Sequence, residues 1–558
     1  MDILLEHFYL FFQITMMCLF LSLSGFLLKR LILDGHNLKN FEENGLFGFI
    51  FVGFIALIIN FFLPLEKITN SILLILIVLA AIKLNFFDQD KKKLLKHIFN
   101  TSLICYIILI YSRVNTPDAL LYHLPYSKII NEHKIMIGIS NLHGRFGHIS
   151  IFQYIASFFN NYLFYINGIL IPIASLVSFF FIYCFREYKK NFKKNESIIK
   201  SYIVFLILIF SLYSFNRYSG YGNDAQAHIY YFLFILYLLD YLIIKKSLVS
   251  FKKISLICLF IFLIKPFYLI VAIIPLVLFF KTTNKISFLK SKFTIFSLSL
   301  VFLWILKNFL TTGCLIYPII ETCNSNLLWF DQASTFQASL EGEAWSKDYP
   351  NRLNKSENYE EYIKGFNWIS IWLKNHFIVI NSKFAPVIIF VLLNALFLFF
   401  KKCFKKNDKI TNHKSYLLIM IMNLIFLIVW FLKFPVYRFG LSFIYSTLIF
   451  FFYFICLRHI DYKKLYNLYG FFTFFILLIS VGAITKNIIR ISNNYMQPVS
   501  PFVYDPLDVG KYEKVHNKEG IFIHYYKDTA CGYTLSPCSS YKYKLYKKEY
   551  FKYQVYYK

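Results

Sequence analysis

Asp118 and His123 lie in the stretch VNTPDALLYHLP, residues 114–125, directly after the apolar run IFNTSLICYIILIYS. An Asp carboxylate in such a place is a candidate general base, because it can accept the proton of an attacking hydroxyl group. Further ionisable and polar residues stand at the edges of later apolar runs or at breaks in them: Asp224, His143, Arg145, His148, Lys265, Lys307, Asn308 and Arg438. The cations among them are of the kind that binds phosphate and stabilises charge developing on it.

Each of these residues also has a purely structural explanation. Asp118 follows a Pro and suits a turn or helix cap, and Asp224 ends a Gly-Asn-Asp turn before a helix. Arg438 and Lys307 suit interfacial anchors, Lys265 suits a snorkelling lysine, and His123 suits a packed loop histidine. The DxD-like triplet Asp88-Gln89-Asp90 stands beside three lysines, and we interpret it as a solvated loop.

The composition is that of a membrane protein. The chain has 558 residues, 58% of them hydrophobic, and a mean hydropathy of +0.54. Apolar runs long enough to cross a bilayer recur along it, which predicts an all-α polytopic fold with about 13 or 14 transmembrane helices. The N-terminal MDILLEH has no basic n-region, so we expect the first run to be retained. The net charge of +29 is mostly not in one basic patch, since many of the charges sit in short clusters between apolar runs, which argues against nucleic-acid binding.

The basic clusters predict the topology, because cytoplasmic loops carry the excess of Lys and Arg. We place these clusters inside: 29–39, 91–96, 186–200, 245–253, 281–292, 401–409 and 458–464. The expected crossings then alternate, near 8–28, 45–64, 70–86, 97–113, 165–184, 201–215, 226–244, 293–310, 384–400, 415–433, 440–457 and 466–485. The outer segments are 114–147, 216–225, 312–383 and the tail 486–558.

Three segments depart from simple crossings. Residues 254–280 have basic loops at both ends and Lys265-Pro266 near the middle, which predicts a short helical hairpin with Lys265 at its outer tip. Residues 148–163 are short and interrupted by polar residues, so we expect a helix at the outer surface or dipping in partway. Trp368 and Trp372 stand four apart near the end of the loop 312–383 and favour an interfacial helix.

The outer segments hold four cysteines: Cys314, Cys323, Cys531 and Cys538. Disulfides persist outside the cytoplasm, and Cys531 and Cys538 are close enough in sequence for a local bridge. The tail alternates with period two, which predicts a small α+β extracytoplasmic domain. The expected organisation is N-terminal transmembrane helices over 1–96, a core over 97–485 with outer loops, and this domain over 486–558.

Over about 97–457 the chain resembles the GT-C superfamily of membrane glycosyltransferases, which includes the aminoarabinose transferases and protein O-mannosyltransferases (family 39-like). The resemblance lies in the order of parts: Asp118 after a helix, Asp224 in a later short outer loop, LIKPFYL, KNFLTTGCLIYP, and a late P-x-x-R-F with Pro435, Arg438 and Phe439. It implies a lipid-phosphate sugar donor, an inverting transfer, and Asp118 as base or metal-adjacent group. The chain departs from many relatives in having Pro-Asp-Ala where they carry an acidic pair, and in having four crossings before the loop.

From these features we expect a glycosyltransferase of the bacterial cytoplasmic (inner) membrane whose active site faces the periplasm. It would move a hexosyl or pentosyl unit from a polyprenyl-phosphate donor to a lipid, glycan or protein acceptor of the cell envelope, as in polysaccharide biosynthesis. Asp118 and Asp224 are the catalytic candidates, and the substrate-binding candidates are His123, His143, Arg145, Lys265, Lys307, Asn308 and Arg438. No metal ligands are assigned, and a divalent cation stays open as cofactor. The alternatives are a polymerase or ligase with lipid-pyrophosphate donors, and a lipid-glycan flippase or transporter.

Cysteine labelling tests this topology. A Cys introduced in 114–147 or in the tail is expected to react with an impermeant thiol reagent in intact cells, because these segments lie outside. A Cys introduced at 189–194 should stay unlabelled because it lies in a cytoplasmic loop. The reverse labelling pattern would place every candidate residue on the cytoplasmic side and contradict the interpretation.

Overall fold

The computed structural model describes residues 2–33, 40–88, 90–110, 118–192, 198–217, 221–244, 246–280, 285–404, 413–493, 512–516, 522–526, 531–539 and 545–558. Long apolar helices dominate these residues, and strands occur only near the C-terminus among them. The fold is therefore that of an all-α, multi-pass integral membrane protein, as the sequence predicted.

The helices of the first half begin and end at these residues: α1 Asp2–Leu31, α2 Phe41–Phe62, α3 Lys67–Lys83, α4 Lys91–Leu109, α5 Leu124–Glu132, α6 Ile151–Phe159, α7 Ile171–Phe192, α8 Ile198–Ser214, α9 Asp224–Leu239 and α10 Leu248–Ile264. Those of the second half are α11 Ile273–Phe280, α12 Lys285–Leu289, α13 Lys292–Thr312, α14 Gln332–Ser346, α15 Tyr359–Ile363, α16 Trp368–Phe400, α17 His413–Lys433, α18 Tyr437–Ile455, α19 Tyr462–Asn467 and α20 Tyr469–Asn493.

Nine helices of the described chain are long and apolar enough to cross a membrane: α1, α2, α7, α9, α13, α16, α17, α18 and α20. Shorter apolar helices, among them α8 and the segment Pro266–Phe280, accompany them. The sequence analysis expected 13 or 14 crossings. In the described residues, fewer helices are both long enough and apolar enough to cross a membrane.

Small residues let α1 and α2 pack backbone to backbone. A Cβ atom placed on Gly25 would lie 1.7 Å from the Asn44 carbonyl oxygen, and one on Gly48 would lie 1.9 Å from the Leu21 carbonyl oxygen. Close helix approach of this kind stabilises membrane proteins by van der Waals packing, since lipid provides no hydrophobic drive between helices.

A buried ion-pair cluster joins α1, α2 and α10 near one end of the bundle. Lys29 Nζ lies 2.7 Å from the Glu43 carboxylate, and Lys253 pairs with the same carboxylate. The Tyr237 hydroxyl donates to Glu43 at 2.8 Å. Because two cations and a hydroxyl satisfy this carboxylate, its burial is compensated, and removing one cation would leave charge poorly matched.

The predicted helix break at Lys265 is present. The α10 helix ends at Ile264, Lys265 is extended with φ −145° and ψ 114°, and a 3₁₀ helix runs from Pro266 to Ala272. Pro266 has no N–H to continue the helical ladder and disfavours helical backbone at the residue before it. The lysine side chain is therefore carried at a turn and not along a continuous helix.

Residues 148–163 do not form a crossing, as expected. The helix there, α6, has nine residues, all of them buried, and it begins with a Ser150–Gln153 capping box.

The expectation of an interfacial helix around Trp368 and Trp372 is wrong in one respect. Both tryptophans belong to the first turns of the 33-residue α16 and are buried against Phe431, so α16 begins well before the expected crossing at 384–400.

The C-terminal residues form five short strands: β1 Tyr512–His516, β2 Phe522–Tyr526, β3 Cys538–Ser539, β4 Tyr546–Tyr550 and β5 Tyr553–Tyr557. Strands β1 and β2 pair antiparallel, β2 and β3 pair parallel, and β4 and β5 form a hairpin. Disulfides join Cys531 to Cys538 and Cys314 to Cys323.

These C-terminal residues are hydrogen-bonded to the segment after α4. The Gly532 N–H donates to the Leu120 carbonyl at 2.8 Å, and the Tyr556 N–H donates to the Ile137 carbonyl at 2.9 Å. The Tyr533 hydroxyl bonds Asn131 at 2.8 Å. The tail thus packs on the segment that begins with Asp118.

Enlarging Gly48 tests the close packing of α1 on α2. Gly48→Leu is expected to lower the free energy of unfolding by about 1–3 kcal/mol or more, because its Cβ would overlap the α1 backbone. Gly482→Leu is the matched control, since no heavy atom lies within 4 Å of a Cβ at that position. Unfolding of the purified protein in increasing SDS measures both, and equal losses in the two variants would contradict this account of the packing.

Candidate active site

Four charged residues from four separate segments meet at one end of the helices. Asp118 precedes a π-helical turn at Ala119–His123, and Asp224 is the first residue of α9. Lys265 stands at the break after α10, and Arg438 is the second residue of α18. Each stands at the start of a helix or at a break, so its side chain reaches the helix ends without interrupting a span.

Arg438 connects the two carboxylates. Its Nη2 lies 3.4 Å from Asp118 Oδ2, and its Nε lies 3.6 Å from Asp224 Oδ2. Lys265 Nζ bonds the other oxygen, Oδ1, of Asp224. The ring of Phe439 lies under both cations, 3.5 Å from Lys265 Nζ to the centroid and 5.3 Å from the Arg438 guanidinium carbon. The ion pairs therefore join the four residues in a row: Asp118 contacts Arg438, Arg438 contacts Asp224, and Asp224 contacts Lys265.

The two ends of this group differ in how tightly they are held. The Arg438 and Asp118 side chains are 50% and 43% exposed, whereas Asp224 and Lys265 are 29% and 20% exposed. Charge-assisted N–H···O bonds are usually near 2.7–2.9 Å, so both Arg438 contacts are loose. A bound anion could therefore compete for the guanidinium, while Asp224 stays engaged with Lys265.

A buried hydrogen-bond network lies beneath Arg438. His228 Nε2 donates to the Arg438 carbonyl oxygen at 2.6 Å, and its Nδ1 lies 2.9 Å from the Ser442 hydroxyl. The Tyr268 hydroxyl lies 3.3 Å from both His228 Nδ1 and Ser442 Oγ. Because a carbonyl only accepts, the neutral ring carries its proton on Nε2. His228 thus ties α9, which carries Asp224, to the start of α18.

His123 lies next to the charged group but is buried. The Gln153 amide donates to His123 Nδ1 at 2.9 Å and lies 3.4 Å from Asn223 Oδ1. Burial lowers the pKa of His123 to about 4, although the Asp118 and Asp224 carboxylates act in the opposite direction. His123 is therefore neutral at pH 7, so it can offer a substrate a hydrogen bond but no positive charge.

Tyr122 connects this group to the next loop. Its ring centroid lies 4.3 Å from that of His123 and 6.3 Å from that of His143. Burial raises the pKa of Tyr122, and Asp118 adds to the effect, so the phenol keeps its proton. His143 Nδ1 accepts the Arg145 backbone N–H at 3.1 Å, which is a helix-capping contact. The Arg145 guanidinium lies 3.6 Å from the Glu341 carboxylate.

Lys307 and Asn308 lie at the end of α13, and no contact in the described chain joins them to the Asp118 group. The Asn308 amide donates to the Leu315 carbonyl at 3.1 Å, which stabilises the turn after the helix. Lys307 is 1% exposed, with Nζ 3.9 Å from the Trp304 ring centroid. It makes no ion pair among the described residues. Burial lowers the pKa of His148 to about 3, and the positive charges of Arg145 and Lys307 act in the same direction.

The structure thus brings together Asp118, Asp224, Lys265 and Arg438, with His123 beside them. The capping explanation of Asp118 is not supported, because its side chain makes no cap hydrogen bond. In the triplet at 88–90, by contrast, Asp90 accepts from the N–H groups of Lys92 and Lys93 and caps α4.

The sequence reading missed several residues around the site: Tyr122, Gln153, Asn223, His228, Tyr268 and Ser442. His228 had a signal, since it stands four residues after Asp224 and so on the same helix face. Gln153 appeared only as a polar interruption of an apolar run. Nothing in the sequence indicates Ser442 or Tyr268, because their roles depend on three helices meeting.

The residues do not fit a resident metal. No group of three or more His, Cys, Asp or Glu side chains is arranged to hold an ion within the described ranges. The two carboxylates of the site already face Arg438 and Lys265, which match their charge.

Replacing Lys307 tests whether its charge is uncompensated. Lys307→Met is expected to stabilise the purified protein by about 1 kcal/mol or more, because a buried ammonium without a carboxylate is costly. Lys29→Met should instead destabilise it by about 3 kcal/mol, because Glu43 loses a partner. Thermal unfolding in the same detergent measures both. A loss in Lys307→Met as large as in Lys29→Met would show that the Lys307 charge is matched.

Curated proteins and solved structures yield no significant match. A family model matches residues 8–445, a range that contains Asp118, Asp224, Lys265 and Arg438 and most of the helices. Since this match spans well over half of the sequence, the chain belongs to the family described as "Domain of unknown function (DUF8201)".

Proposed function

We propose that this chain is a membrane glycosyltransferase of the GT-C type. It moves a sugar from a polyprenyl-phosphate donor to a hydroxyl of a lipid, glycan or protein acceptor at the outer face of the cytoplasmic membrane. The observation that carries the proposal is the meeting of Asp118, Asp224, Lys265 and Arg438 at the ends of four helical segments. A base and phosphate-binding cations at one membrane edge suit a donor whose phosphate is held at that level.

The reaction assigns opposite tasks to the two kinds of charge. The acceptor hydroxyl oxygen attacks the anomeric carbon while Asp118 accepts its proton. The bond between that carbon and the phosphate oxygen breaks, and the electron pair leaves with the polyprenyl phosphate. Arg438 and Lys265 stabilise the negative charge that grows on the leaving phosphate. Attack opposite the leaving group inverts the configuration of the anomeric carbon.

Asp118 suits the base better than Asp224. Its described ion pair is the single 3.4 Å contact with Arg438, and it is the more exposed of the two carboxylates. Asp224 is held by Lys265 and contacts Arg438 as well. When phosphate draws Arg438 away, Asp118 is released to accept a proton, whereas Asp224 remains positioned by Lys265 and can orient the acceptor.

Two observations support an outer location for the site. The Cys531–Cys538 disulfide lies beside it, because Gly532 donates to Leu120, two residues after Asp118. Disulfides persist in oxidising compartments. The positively charged Lys29, Arg186 and Lys253 lie instead at the other end of the bundle, around Glu42 and Glu43.

A transfer assay with purified protein and labelled polyprenyl-phosphate sugars tests the proposal. Asp118→Asn keeps the side-chain shape but removes the basicity, and should lower the rate by about 10²- to 10⁴-fold. Arg438→Ala should weaken donor binding, and Arg438→Lys should not fully restore it, because lysine cannot bind phosphate with two parallel N–H groups. Asp331→Asn is the matched control, since this residue caps α14 and Asn also caps helices well.

The outcomes separate the possibilities. If Asp118→Asn keeps wild-type activity while the Arg438 variants lose it, the base is another residue, with Asp224 and His123 next to be examined. If transfer occurs only from polyprenyl-pyrophosphate donors, the chain is a polymerase or ligase. If no donor in the panel supports transfer to any acceptor, the glycosyltransferase proposal is wrong.

A further inference from the structure

The π-helical turn that follows Asp118 lacks a backbone donor for one of its own carbonyl groups. The Leu124 N–H, at the end of the turn, donates to the Ala119 carbonyl. The next residue, Pro125, has no N–H. Neither residue therefore donates to the Leu120 carbonyl, which lies between them and Asp118. Since a carbonyl group withdrawn from water needs a partner, the turn depends on a donor from elsewhere in the chain.

The C-terminal tail supplies that donor. The Gly532 N–H donates to the Leu120 carbonyl at 2.8 Å. Gly532 has φ +56°, a left-handed conformation that favours glycine, so the direction of its N–H depends on this residue type. It follows Cys531, which is bonded to Cys538, and both half-cystines are buried. The disulfide thus closes the loop that presents the N–H to the turn.

Tyr533 anchors the same loop between the two helices that follow the turn. Its hydroxyl donates to Asn131 Oδ1, near the end of α5, at 2.8 Å and accepts from the Asn160 amide, at the end of α6, at 2.5 Å. The Asn131 amide also donates to the carbonyls of Leu65 and Ser157. The phenol is therefore part of a hydrogen-bond network that ties α5 to α6 and to the segment between α2 and α3.

The side chain of Asp118 is itself held loosely. It makes no helix-capping hydrogen bond, it is 43% exposed, and its ion pair with Arg438 is 3.4 Å long. The backbone of the turn therefore has a large part in setting where the carboxylate lies. A catalytic group must be placed accurately, because a misplacement of about 1 Å can lower a rate by about 10²-fold.

We propose that the Cys531–Cys538 loop positions Asp118, with Tyr533 as the side chain that holds the loop in place. Tyr533 follows Gly532 directly, so the phenol, by bonding α5 and α6, also fixes the N–H that is donated to Leu120. The consequence for catalysis rests on the proposed function, in which Asp118 accepts the proton. Tyr533 is then a positioning residue that acts through the backbone of the turn.

Tyr533→Phe tests this role, because it removes the hydroxyl and keeps the ring. In the transfer assay with the full-length protein it should lower kcat by about 10- to 100-fold. The KM for the polyprenyl-phosphate sugar should stay unchanged, since Arg438 and Lys265 are not altered. Tyr546→Phe is the matched control, because it removes a hydroxyl from an exposed tyrosine of the same tail and should leave kcat unchanged. Equal kcat values for Tyr533→Phe and the wild type would overturn the positioning role.

A double-mutant cycle separates positioning from a general loss of structure. When Tyr533→Phe is added to Asp118→Asn, kcat should fall no further, because the base that the loop positions has already been removed. A general structural defect would instead lower kcat by the same factor in both backgrounds. Losses that multiply would therefore contradict the action of Tyr533 through Asp118.

Hydrogen–deuterium exchange tests the hold on the turn without any activity. In Tyr533→Phe the amides of residues 119–127 should exchange about tenfold faster, because the loop that bonds the turn is loosened. The amides of α9, which carries Asp224, should exchange as in the wild type. Unchanged exchange over 119–127 would overturn the proposal, and equally faster exchange in α9 would show a global effect and overturn it as well.

The two proposals fail in different ways. If the wild type transfers no sugar to any acceptor but Tyr533→Phe exchanges faster at the turn, the glycosyltransferase is refuted and the hold of the loop on the turn stands. If the wild type transfers sugar but Tyr533→Phe changes neither kcat nor the exchange of the turn, the glycosyltransferase stands and the positioning role of the loop is refuted.

Discussion

The ion pairs from Lys265 through Asp224 and Arg438 to Asp118 are the constraint on which the rest of the site depends. Four charges next to a bilayer are tolerated because they neutralise each other and keep partial access to water. To meet, they require a helix broken at Lys265 and two helices, α9 and α18, that start at the same level. His228 fixes that level by bonding the first turn of α18 to α9. The break at Lys265 and the starts of α9 and α18 therefore all bring these charged side chains together.

The two ends of the bundle use ion pairs differently. Around Glu43 the carboxylate and Lys29 are almost fully buried and 2.7 Å apart, which locks α1 against α2. Around Arg438 the contacts are longer and the side chains half exposed. A tight, dry pair resists exchange, whereas a loose, hydrated pair can give up one partner to an incoming anion. The ion pairs in which an incoming anion can replace a carboxylate therefore lie at the end of the bundle that carries the disulfide-bonded tail.

The sequence alone determined the membrane class and the break at Lys265, because hydropathy and Pro act locally along the chain. It also singled out Asp118, Asp224, Lys265 and Arg438 as polar residues at run edges. It could not determine which of the candidates meet, since Lys307 and Asn308 had the same pattern and lie apart from the group. Nor could it find His228, Tyr268 and Ser442, or show that Trp368 and Trp372 open a long helix. Those features were decided by helix packing, which joins residues far apart in the chain through contacts of a few ångströms that no local pattern encodes.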